Sequence, residues 1–171
     1  MPSIYVARSP TLEEWAEDVG LTKHVFKVGV TEDDPVVACE ALNAEGHASA
    51  KDWMLLKIVE VEGAEEADVL ARLARRETLV DPKYYPRIRG ATGIVKVKVA
   101  AAQNQMMVER ALEGRPTKAI KFKPVDVAEY LLRNLTSQSA LAPNRALVPP
   151  AQCQMGHQCG DAMDRDAGER N

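Results

Sequence analysis

His24-Val25-Phe26-Lys27-Val28-Gly29-Val30-Thr31 alternates well enough to predict a strand, and Gly29 in its interior marks a close approach by another backbone or a ligand. Upstream, the apolar run from Ser3 to Ala7 predicts a second strand. Between the two, Thr11 and Glu14 have capping-box spacing, Leu12, Trp15 and Val19 share one helical face, and Gly20 is a stop. After the second strand, Asp34-Pro35 is an N-cap followed by proline at the first helical position, and Gly46 ends that helix. Trp53 to Val61 predicts a third strand, buried on both faces, and a helix from about Glu65 to Glu77 follows, with acids in its first turn and Arg75 and Arg76 near its end.

Farther along, Gly93 to Val99 alternates strictly, with Val95, Val97 and Val99 facing inward and Lys96 and Lys98 outward. Gln103 to Glu113 has helical spacing, Lys118 to Lys123 predicts a short strand, and Val127, Leu131 and Leu135 define a last helix begun near Asp126. The expected architecture is α+β, a small mixed β-sheet flanked by helices. The expected division is a folded domain over 1–135 and a flexible tail over 136–171, rich in Ala, Pro, Gln and Gly.

At 171 residues, 46% hydrophobic and 27% charged, the chain is neither wholly disordered nor collagen-like. It has no apolar run of the roughly 18 to 20 residues that span a bilayer, so no membrane association is expected. The N-terminus lacks a basic stretch followed by an apolar one, which points to the cytoplasm. Cys39, Cys153 and Cys159 are an odd count without framework spacing, as for reduced thiols.

The net charge of −3 conceals a strong asymmetry. Met1 to Ala71 carries 5 basic and 15 acidic residues, Arg72 to Lys123 carries 13 basic and 4 acidic. Such a basic segment suits a polyanion, with a Lys/Arg face neutralised by the acidic half as the alternative.

Ile4-Tyr5-Val6, then Phe26-Lys27-Val28-Gly29-Val30-Thr31, then Asp-Pro opening a helix that ends in Ala41-Leu42-Asn43, resembles the GIY-YIG endonuclease superfamily. The likeness is to its phage- and plasmid-associated branch, whose second motif reads Tyr-Lys-Ile-Gly, and it covers roughly residues 3 to 100. The resemblance implies a GIY-YIG-like fold and nucleic-acid cleavage with Mg²⁺ or Mn²⁺ held by a glutamate. It also implies a tyrosine that helps activate water and an arginine that steadies the phosphate. Tyr5 matches the first-motif tyrosine, Lys27 stands at the second-motif tyrosine, and Gly29 matches the motif glycine. Glu65 or Glu66 stands where the metal glutamate would be. The arginine is absent: Val36, Val37 and Ala38 hold its places, and Arg8 is the nearest substitute.

Each residue also has a plainer reading. Tyr5 suits a core strand, Lys27 a solvent-facing strand position, and acids at a helix start answer the macrodipole. Arg72, Arg75, Arg76, Arg87, Arg89, Lys96 and Lys98, with Lys83 and interleaved Tyr84 and Tyr85, are the nucleic-acid-binding candidates, because arginine grips phosphate and tyrosine stacks on unpaired bases. Tyr84-Tyr85-Pro86 reads equally as a packed loop. Cys153, His157 and Cys159 offer three soft ligands without the spacing of a zinc module.

The leading expectation is a DNA-binding (RNA second), nuclease-like protein of a phage, plasmid or other mobile element, with cleavage lost or nearly lost. The rivals are an active metal-dependent endonuclease and a protein-interaction or inhibitor module whose acidic N-terminal surface docks on a protein partner.

Overall fold

The computed structural model describes residues 1–117 and 121–140, the side chains of 137–140 excepted. Five strands form one sheet: β1 (Ser3–Arg8), β2 (Val25–Thr31), β3 (Met54–Glu60), β4 (Thr78–Leu79) and β5 (Ile94–Lys96), in the spatial order β3-β1-β2-β5-β4. Every pairing is antiparallel, which corrects the expected mixed sheet. The helices between strands here return the chain antiparallel instead of crossing over, a choice that periodicity does not encode.

Successive residues of β1 and β2 serve opposite faces. Ile4, Val6, Phe26 and Val28 share a core with α3 (Glu66–Ala74), α4 (Val99–Leu112) and α5 (Pro124–Ala140), which contributes Val127, Leu131 and Leu135. Burying one such side chain is worth about 1.5–3 kcal/mol. Tyr5, Ala7 and Val25 face the other way, toward α1 (Pro10–Asp18), α2 (Pro35–Glu45) and the irregular stretch holding Val80, Ile88 and Ala91.

The helix starts follow their caps. Asp34 caps α2, accepting from the Val36 N–H at 2.8 Å, and Gly46 closes it at φ 68°. For α1 the cap is Ser9, whose Oγ accepts from the Leu12 N–H at 3.2 Å. Thr11 donates its N–H and hydroxyl to Asp52 at 2.9 and 2.8 Å, so the Thr11–Glu14 capping box is not formed.

β3 is an edge strand with Met54 and Ile58 exposed, not a strand buried on both faces. β5 stops at Lys96, because Lys98 already precedes the first turn of α4 and donates its N–H to buried Glu77 at 2.7 Å. Residues 121–123 form no strand, although Phe122 packs on the core. Residues 118–120 of that expected strand lie outside the described residues, as does the tail from 141 on with Cys153, His157 and Cys159. Helix α5 continues to Ala140, past the expected boundary at 135. Among the described residues no helix is long and apolar enough to cross a membrane.

Candidate functional site

Tyr5 lies directly opposite Gly29 in the β1–β2 ladder, and Ala7 opposite Lys27. Strand alternation therefore sends Tyr5 and Lys27 to the same face. A Cβ placed on Gly29 would stand 2.6 Å from both Cζ and Oη of Tyr5, so the ring lies across a strand position that only glycine leaves open. The group that approaches Gly29 is a side chain of the neighbouring strand, not the backbone or ligand expected there.

Lys27 is 4% exposed, not the solvent-facing lysine of the plainer reading. Its Nζ donates to the Thr92 carbonyl at 2.7 Å and pairs with Glu66 Oε1 at 3.3 Å. Gly93, at φ 74°, allows this: a Cβ there would meet the Val28 carbonyl at 2.3 Å and Lys27 Nζ at 2.7 Å. The Val28 N–H donates to the Gly93 carbonyl at 2.9 Å, continuing the β2–β5 contact past the end of β5. Glu66 opens α3, and its side chain is 43% exposed, so it is the solvent-facing member of the cluster.

Burial dominates the electrostatics. It lowers the pKa of Lys27, and Glu66 partly restores it. The Tyr5 phenol is pushed up to about 12 by burial and by Glu66, so at neutral pH it is a hydrogen-bond donor rather than a phenolate.

His47 is a further member of the site that sequence reasoning missed. It begins a 3-10 turn, His47–Ser49, in which Ala48 and Ser49 are left-handed at φ 56° and 58°. Non-glycine residues there carry strain, which concentrates at functional sites. The His47 pKa is lowered by burial and then by Lys27, with Thr92, Glu45 and Glu66 acting in the opposite sense. Its Nε2 is buried without a hydrogen-bond partner among the described residues. A lone histidine after a helix-ending glycine carries no periodic signal.

The structure thus brings together Tyr5, Lys27 and Glu66 and adds His47 and the Thr92 carbonyl. Glu65 instead caps α3 without a side-chain cap bond and lines a groove with Asp68 and Arg72. Arg8 pairs with Glu13 at 3.4 Å and does not join the cluster. Val36 and Val37 are 50% and 56% exposed in the first turn of α2, so that helix brings no cation.

The basic residues divide between two layers. Arg72 on α3, with Arg75 and Arg76 at its end, belongs to the α5 side, where Arg76 donates to Asn134 Oδ1 at 2.8 Å. Arg87 and Arg89 belong to the segment that ends in Thr92, and Lys96 closes β5. None of the basic side chains from Arg72 to Lys98 forms a direct ion pair among the described residues, although Arg72 shares a groove with Glu65 and Asp68 of the acidic half.

No family model, no curated protein and no solved structure matches this chain. No group of three or more His, Cys, Asp or Glu capable of holding a metal occurs among the described residues. Glu66 alone offers a half-exposed carboxylate with one oxygen engaged by Lys27. That donor suits a hard cation which takes its other ligands from water and phosphate, as magnesium does.

Proposed function

We propose that this chain is a nucleic-acid-binding protein with a GIY-YIG-like site, serving a phage, plasmid or other mobile element, in which phosphodiester cleavage is weak or absent. The observation that carries the reading is that Tyr5, packed on Gly29, shares a sheet face with Lys27, which pairs with Glu66, beside an α2 that presents valines and no cation.

The roles follow from the environments. Tyr5, protonated at neutral pH, donates a hydrogen bond to an oxygen brought to the site. Lys27 supplies positive potential from its buried position, and the half-exposed Glu66 would hold Mg²⁺ or Mn²⁺. Such an ion would neutralise phosphate charge and acidify a bound water. The missing group is the cation that steadies the phosphate as charge builds up on it, and one such donor commonly carries about 10² to 10³ in rate. Binding draws on many ground-state contacts from the unpaired Lys and Arg side chains and persists without it. The intact Tyr5–Lys27–Glu66 cluster favours, as a second reading, an endonuclease that retains activity.

The test incubates pure protein with supercoiled plasmid and Mg²⁺ or Mn²⁺, beside Tyr5→Phe and Glu66→Gln, and measures duplex binding across salt concentrations. The reading expects salt-dependent binding with faint nicking or none. Robust nicking abolished in both variants would establish the endonuclease, and failure to bind any nucleic acid at low salt would remove both readings.

A further inference from the structure

The segment running from Asp81 to Thr92 holds an aromatic side chain that the fold does not use. Tyr84 is 79% exposed, whereas its neighbour Tyr85 is packed edge-on against Trp15 with ring centroids 5.6 Å apart at 86°. The packed-loop alternative therefore holds for Tyr85 and fails for Tyr84.

The backbone beneath Tyr84 is well anchored. The Asp81 carboxylate accepts from the Lys83 N–H at 2.9 Å, and the Tyr84 N–H donates to the Asp81 carbonyl at 3.2 Å. Ile88 is fully buried, Ser49 Oγ donates to the Arg87 carbonyl at 2.8 Å, and the Arg87 guanidinium stands 5.9 Å from the Trp15 ring centroid. Lys83, Arg87 and Arg89 lie in the same segment, within five residues of Tyr84, exposed and without ion pairs among the described residues. The same segment ends in Thr92, whose carbonyl holds Lys27.

An exposed ring on an anchored loop that also carries three exposed cations has the composition of a stacking platform for single strands: every base has a π-face, and the cations track the backbone. Duplex DNA keeps its bases stacked on one another and offers Tyr84 only its backbone. We infer that the Asp81–Thr92 segment binds single-stranded nucleic acid, with Tyr84 stacking on an unpaired base; this rests on the nucleic-acid reading above and narrows it to a substrate with unpaired bases.

The experiment measures, by fluorescence anisotropy, the full chain and its Tyr84→Ala and Tyr84→Phe variants with three labelled probes of equal length. These are an oligothymidine of about 12 nucleotides, an abasic strand and a duplex. Tyr84→Ala is expected to weaken oligothymidine binding by about 5- to 100-fold, Tyr84→Phe to retain it, and neither to alter the abasic or duplex affinity. Equal losses on all three probes would overturn the inference. Duplex binding without single-strand binding would also overturn it while leaving the nucleic-acid reading in place, and absence of binding to every probe would overturn both.

Discussion

The Tyr5 ring occupies the space that a side chain at Gly29 would need, so the two residues form one packing unit across the β1–β2 ladder. Gly29→Ala is expected to cost about 1–3 kcal/mol, because the displaced ring belongs to a closed core. In a Tyr5→Leu background the same substitution should cost much less, with a coupling of about 0.5–3 kcal/mol in a double-mutant cycle. Additive losses in urea denaturation would show that the ring and the glycine do not interact.

Lys27 and Glu66 are unequal partners, since the amine is buried and the carboxylate half-exposed. Glu66→Gln leaves a buried cation without its counter-charge and should cost about 1–3 kcal/mol. Lys27→Met removes the charge, leaves Glu66 to water, and should cost less. Chemical denaturation of the two variants side by side checks the order, and a larger loss for Lys27→Met would refute it.

Val37 stands in solvent in the first turn of α2. Val37→Arg should change stability by no more than about 0.5 kcal/mol, as exposed substitutions do. If a steadying cation is what the site lacks, the variant should gain plasmid nicking by up to about 10² to 10³-fold over the wild type. No gain, with Tyr5 and Glu66 intact, would place the defect elsewhere.

His47 has a lowered pKa, through burial first and Lys27 second. Between its folded value and the unfolded 6.5 the unfolded chain binds more protons, so stability rises with pH through that window and is lower below it. The slope from this one group is at most about 1.4 kcal/mol per pH unit. His24 is shifted the same way and remains in both proteins, so comparing wild type with His47→Gln isolates His47. The variant should lose less stability on acidification, and parallel curves would remove His47 from the cluster.

Much of this fold was legible because its punctuation is local. Asp34-Pro35 and Gly46 bracket α2, and the i, i+4 run Val127-Leu131-Leu135 marks α5. The direction of strand pairing was not legible, since it depends on contacts such as Val25 with Lys96, which no window spans. Edge status escaped for the same reason: Met54 and Ile58 read as core residues, but among the described residues no strand lies beyond β3 to cover them. β4 has two residues, too few for a period. At the site, Tyr5, Lys27 and Gly29 were found from motif order, whereas His47 and the Thr92 carbonyl enter through tertiary packing alone.

The bond from Lys27 to Thr92 joins residues 65 apart in the sequence. An amine does not shed its hydration before oxygen partners arrive, and Thr92 follows β1, β2 and β3 in the chain. While the chain is being made, β1, β2 and β3 can pair with Lys27 still wet, and the amine is covered only when β5 and Thr92 dock. Burial of the amine and docking of β5 are thus one kinetic event. In pulse-labelled refolding, the Val28 amide, bonded to Gly93, should gain protection from exchange later than the amides shared by β1 and β3.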